Sequence, residues 1–156
     1  MTKPRSLLFV CTGNICRSPA AEGLMRHALK ERGIFNDFTL DSAGVDSHHI
    51  GQAPDHRARS TGLKYGVNFE DLVARNVRHN DFYDFDIIFA MDQSHYDRLK
   101  MIAPADATAK IELYLPFSGT TMTREVPDPY YGSMDDFEHV HALLAKATEG
   151  VLNKIT

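Results

Sequence analysis

Tryptophan is missing from this chain, cysteine occurs only twice, and no long apolar run is present. The apolar stretch behind Lys3 and Arg5 is about five residues, against the ~20 that a membrane-spanning helix needs and the ~7 or more of a secretory leader. No leader, no span and a cytoplasmic location are therefore expected. The two cysteines, Cys11 and Cys16, lie too close together to form a disulfide framework across a fold. A surplus of positive charge is also lacking, since the net charge is −4, which argues against nucleic acid or an acidic membrane surface as the main partner. Metal-ligand spacing is absent too. His48 and His49 are adjacent and His139 and His141 are two apart, so neither pair shares a helical face. Neither a metal nor another cofactor is expected.

What is present fits one domain over residues 1–156, with 43% hydrophobic and 24% charged residues and no repeats or low-complexity segments. The segment at 6–10, SLLFV, has the length and composition of a buried strand. Ser18-Pro19 reads as a helix start, with serine as the cap and proline at the first helical position. That helix is expected over 18–32, with Glu22 in its first turn, where a negative charge suits the dipole. Further along, strands are expected at 38–41 and 86–91, and a short extended segment at 75–77. A last strand at 110–115 has Ile111, Leu113 and Leu115 alternating with Glu112 and Tyr114. Helices are expected over 55–65 and 93–101. The final helix, about 135–154, shows a packing face of Phe137, Val140, Leu144, Ala147, Val151 and Ile155 at spacings of three and four. Strands alternating with helices imply an α/β fold: a single-domain open parallel sheet of about four strands, with helices on both faces.

Between the first strand and the first helix lies VCTGNICRSP, residues 10–19. A tight loop there points backbone N–H groups and the positive end of a helix dipole at one spot, which makes an anion site. Gly13 permits close backbone approach, and Asn14 tolerates left-handed angles. Cys11 and Arg17 frame the loop as C-x5-R. Every neighbour of the thiol there favours its anion, the nucleophilic form. Arg17 presents a planar fork of donors suited to two phosphoryl oxygens, and Ser18 is placed to donate its hydroxyl to the sulfur. Thr12, Gly13, Asn14, Ile15, Cys16 and Ser18 complete the phosphate-binding loop. The rival Walker pattern needs Gly-Lys-Ser/Thr at its end, which this loop lacks. A reactive thiolate also requires a reducing compartment.

This loop, read with DPYYG near the C-terminus, resembles the low-molecular-weight protein tyrosine phosphatase family, and the resemblance runs from Leu7 to the last helix. It implies hydrolysis of phosphotyrosine in proteins through a phosphocysteine intermediate, by a monomer or weak dimer. Tyrosinate is a poor leaving group, so a proton must be supplied as its bond to phosphorus breaks. Asp128, stiffened between Pro127 and Pro129, is the expected acid and, in the second step, the base. The resemblance further implies that Ser42 braces the loop through Asn14, that Tyr130 and Tyr131 line the entrance, and that Cys16 can pair with Cys11 on oxidation.

Three positions bear on substrate and bracing within that resemblance, and two of them, His48 and Leu72, depart from its pattern. Ile15 stands where relatives acting on phosphoarginine tend to carry threonine, which favours phosphotyrosine. His48 occupies a pocket-wall position where many bacterial members resemble W-H-x-G. Leu72 lies near where some relatives place a histidine bonded to the loop asparagine, so bracing must come from elsewhere. A phosphoarginine phosphatase of the same fold remains the alternative. An arsenate reductase is disfavoured, because the two further cysteines that its relatives carry near the fourth strand have no counterpart in FAMDQSHYD. A binding module without turnover would be expected to lack Cys11 or Asp128.

Overall fold

A computed structural model describes residues 3–156. Its sheet contains β1 (Ser6–Cys11), β2 (Thr39–Gly44), β3 (Ile87–Ala90) and β4 (Lys110–Leu113). The strands are all parallel, in the order β2-β1-β3-β4. The helices are α1 (Arg17–Glu31), α2 (His56–Lys64), α3 (Asp81–Asp84), α4 (Gln93–Ile102), α5 (Tyr114–Ser118) and α6 (Met134–Ile155), with one 3-10 turn at Phe35–Asp37.

Alternation along β1 divides the core. Leu7 and Phe9 face the side packed by Ala21, Met25, Leu29 of α1 and Leu144, Ala147, Val151 of α6, whereas Leu8 and Val10 face Phe82 of α3 and Leu99 of α4. The chain leaves β1 toward β2 on one side and later returns to β3 on the other. The loop after β1 therefore sits at the carboxyl end of the strands where the order reverses, the usual ligand position of such sheets.

Three local readings are corrected by packing. First, α1 starts at Arg17 with Cys16 as its N-cap, without a side-chain capping bond. Ser18 and Pro19 are thus the second and third helical residues, and the Ser18 hydroxyl is turned toward Cys11 rather than used as a cap. Proline is tolerated there because first-turn N–H groups have no intrahelical acceptor. Second, Glu22 falls beyond the first turn and is buried, and its Oε1 has no hydrogen-bond partner among the described residues. Third, β4 ends at Leu113, and Tyr114 opens α5 instead of facing solvent. Pro116 cannot donate to a strand ladder. The turn sends the Tyr114 ring into the core, edge-on to Phe9 and Phe89 at 5.6 and 5.1 Å, with its hydroxyl 3.1 Å from that of Thr148.

The remaining expectations stand close to the observed elements. Asp55 caps α2 by accepting from the Arg57 N–H. Asn76 makes a single bridge to Gly44. Ser133 and Asp136 form a capping box for α6. The short helices α3 and α5 had no periodic signal, being four and five residues long.

Candidate active site

The loop between β1 and α1 keeps its shape through Asn14. This residue holds φ at 58°, a left-handed angle that asparagine adopts more readily than most residues. Its amide nitrogen donates to Ser18 Oγ at 2.8 Å and to Ser42 Oγ at 3.0 Å, and its Oδ1 accepts the Arg75 N–H at 3.0 Å. The Ser42 brace is thus in place. The further support that Leu72 does not supply comes from the Arg75 backbone, three residues on. Arg75 is itself pinned by Asp41 and by both carboxylate oxygens of buried Asp81.

Carbonyls of the loop are taken up from outside. Cys11 O accepts from Val45 N, Thr12 O from Asp46 N, and Ile15 O from Asp55 N, at 3.1, 2.9 and 2.7 Å. Among the described residues, none of the amides from Gly13 to Cys16 donates to a protein acceptor. They remain available to an anion. Gly44 permits the close approach, since a Cβ there would lie 2.7 Å from Thr12 O.

Cys11 lies at the base of a cleft of about 330 Å³. Its Sγ is 3.0 Å from Ser18 Oγ. Arg17 is almost wholly buried, and its guanidinium is oriented from three directions. Nη1 donates to Asp92 Oδ2 at 2.8 Å and to Val126 O at 3.0 Å, and Nη2 donates to Thr12 Oγ1 at 3.2 Å. Burial alone would raise the Asp92 carboxyl, but hydrogen bonds from Ser94, His95 and Arg17 hold it below the usual carboxylate range. His95 is buried, and its pKa is lowered to about 4, by burial first and the Arg17 charge second. It is therefore neutral at physiological pH. The Asp92 N–H donates to its Nδ1 at 3.2 Å, which assigns the ring proton to Nε2, 2.8 Å from Thr12 Oγ1.

Asp128 stands across the cleft with Oδ2 3.7 Å from Arg17 Nη2, and its Oδ1 accepts the Tyr130 N–H at 3.1 Å. Tyr130 and Tyr131 meet edge to face at 4.8 Å, and both line the cleft. Ile15 forms an apolar part of the wall. His48 reaches the cleft but is largely exposed, with Nε2 3.2 Å from Asp46 Oδ1. The closer ring is that of His49, packed against Gly13 and 6.0 Å from the Tyr130 ring, with Nδ1 bonded to Gln52. The Cys16 thiol is buried. Desolvation, with the Asp55 carboxylate second, pushes its pKa far above that of a free thiol. Both cysteines are free.

Ten sequence-expected residues thus line one cleft: Cys11, Thr12, Gly13, Ile15, Cys16, Arg17, His48, Asp128, Tyr130 and Tyr131. Asn14, Ser18 and Ser42 stand behind it as bracing. Sequence reading missed Asp92, His95, Arg75, Asp46 and His49. For Asp92 and His95 a signal existed, because Asp-x-x-His directly follows a buried strand at its carboxyl end. For Arg75 there was none.

Residues 6–156 match the family model described as low molecular weight phosphotyrosine protein phosphatase. The chain is 37% identical over 156 residues to the protein of that description in Schizosaccharomyces pombe, covering 99% of each chain. Among solved structures, a protein tyrosine phosphatase from Entamoeba histolytica superposes with a TM-score of 0.91 at 41% identity, over 96% of both chains. A Drosophila arginine phosphatase superposes with a TM-score of 0.89 at 33% identity, over 95% of this chain and 96% of that one.

Proposed function

Because this chain belongs to the low molecular weight phosphotyrosine protein phosphatase family, we propose that it hydrolyses phosphotyrosine in proteins, with Cys11 as nucleophile, Arg17 as phosphate ligand and Asp128 as acid and base. The Cys11 thiolate attacks phosphorus while the bond to the tyrosyl oxygen breaks. Protonated Asp128 gives its proton to that oxygen, a transfer worth about 10² to 10⁴ in rate. In the second step Asp128, now a carboxylate, takes a proton from water as the water attacks phosphocysteine. The P–S bond breaks and the thiolate returns, with Ser18 donating to the departing sulfur. Loop amides and Arg17 stay on the equatorial oxygens through both steps.

The observation that carries this reading is the position of the Asp128 carboxylate. It stands 3.7 Å from the guanidinium that closes the Cys11 loop, in the same cleft. Ile15 in the wall supports an aryl substrate over phosphoarginine. The similarity to a Drosophila arginine phosphatase keeps the second reading in view.

We place the enzyme in the cytoplasm as a monomer or weak dimer, since a free reactive thiol needs a reducing compartment. Among the described residues no helix is long and apolar enough to cross a membrane. The deciding experiment measures phosphate release in excess chelator from a phosphotyrosine peptide and from phosphoarginine, using wild type, Cys11→Ser and Asp128→Ala. Turnover of phosphotyrosine that vanishes in the first variant and falls by about 10² or more in the second is expected. A preference for phosphoarginine would overturn the substrate assignment.

A further inference from the structure

The segment 127–132, which carries Asp128, is held to the protein in an unusual way. Val126 before it is tied at both ends of its peptide, to Met91 O and to Arg17, and Ser133 after it caps α6. Between these, the segment bonds within itself, through Tyr130 N to Asp128 Oδ1 and Gly132 N to Pro129 O. Among the described residues, every hydrogen bond joining 127–132 to the rest of the protein comes from one side chain. Arg57 Nη2 donates to Tyr130 O at 2.8 Å, and Nη1 donates to Gly132 O at 3.4 Å.

Arg57 is in turn held from the other side. Its Nε and Nη2 donate to Oδ1 and Oδ2 of Asp55 at 3.1 and 3.0 Å. Its guanidinium lies over the Phe137 ring at 4.5 Å and the Tyr130 ring at 5.6 Å. The Asp55 N–H donates to Ile15 O of the phosphate loop at 2.7 Å. A continuous path therefore runs from the cradle of Cys11 through Asp55 and Arg57 to the backbone beside Asp128.

From this path we infer that Arg57 is a positioning residue for the general acid, fixing the Asp128 carboxyl relative to the phosphate loop. The inference rests on Asp128 being that acid. A fork held by a carboxylate on one side and packed against two rings has little freedom, so the carbonyls it grips are fixed as well. Small displacements of a catalytic group cost large factors in rate. Arg57 touches no reacting atom. Its loss should matter only when a proton has to be delivered.

The test uses two substrates in each enzyme. One is a phosphotyrosine peptide, and the other an aryl phosphate whose phenol is acidic enough to leave unprotonated. The readout is kcat/KM, which reports the first chemical step. Arg57→Met and Arg57→Lys, each checked for folding by thermal melting, are expected to lose 10-fold or more on the peptide and less than 3-fold on the activated ester. Lysine keeps the charge but not the fork, so it answers the question should the methionine variant fold poorly. In an Asp128→Ala background, Arg57→Lys should add almost nothing to the loss on phosphotyrosine. Equal losses on both substrates, no loss on either, or full additivity with Asp128→Ala would overturn the inference. If Asp128→Ala itself failed to discriminate between the substrates, the assignment of the acid would fall, and the role of Arg57 with it.

Discussion

Ser18 Oγ lies 3.0 Å from Cys11 Sγ and at the same time accepts the Asn14 amide at 2.8 Å. With one of its lone pairs accepting the Asn14 N–H, the hydroxyl's own proton is free to point at the sulfur, the other acceptor in reach among the described residues being Ala43 O at 3.5 Å. This is a hydrogen bond that strengthens as the P–S bond breaks and charge returns to sulfur.

Ser18→Ala should therefore slow the second step more than the first. A hydrogen bond to a charged group is worth about 1.5–3 kcal/mol, or roughly 10- to 100-fold in kcat. Rapid-quench kinetics should show a first-turnover burst that survives while steady-state turnover falls. Loss of the burst in proportion to kcat would refute the assignment.

Asp92 and the Val126 carbonyl share Arg17 Nη1. Asp92→Asn keeps an acceptor for the cap of α4 but leaves the buried guanidinium without its hydrogen-bonded countercharge, Asp128 standing farther off at 3.7 Å. Competitive inhibition by inorganic phosphate should weaken by about 10-fold or more, and stability should fall by about 1–3 kcal/mol. An inhibition constant equal to that of wild type would mean that Val126 O and Thr12 Oγ1 orient Arg17 without Asp92.

Glu22 gives the fold a pH dependence. Burial, opposed in part by the Ser42 hydroxyl, raises its pKa to about 7, so between the unfolded value of ~4.3 and about 7 the native state holds a proton that the unfolded chain releases. Its contribution is fully present below the unfolded value and is lost as pH rises through about 7. The full span corresponds to roughly 4 kcal/mol. Glu22→Gln, which cannot ionise, should be more stable than wild type at pH 8 and similar at pH 4, as read from urea unfolding across pH. Parallel curves for the two proteins would contradict this.

Cys16 shares the loop with Cys11. We expect peroxide to oxidise the Cys11 thiolate to a sulfenic acid, and attack by Cys16 on that sulfur would release water and form a disulfide. Activity lost to peroxide should then return with thiol in the wild type but not in Cys16→Ser, where oxidation continues to the sulfinic acid. Full recovery of the variant would remove Cys16 from this role. Because burial pushes the Cys16 thiol upward, pairing should speed up as pH is raised.

The phosphate loop was legible because its elements are neighbours in the chain. A buried strand, a glycine, C-x5-R and a helix start determine one another within ten residues, whereas Asp128, between two prolines, stands out as a candidate acid only beside that loop and the DPYY resemblance. The alternation of strands and helices likewise determined the sheet type, since parallel strands require crossovers. Tertiary structure alone decided which residues orient those of the candidate site. Asp92 is 75 residues from Arg17, and His95 is 83 from Thr12; they meet because β3 pairs with β1, a choice of strand order that no local pattern encodes. The same holds for Arg57, which as an arginine after a helix cap reads as surface until the 127–132 segment folds onto it. Burial separated Tyr114 and Glu22 from their local readings for the same reason: how much water a side chain loses depends on what the rest of the chain packs over it.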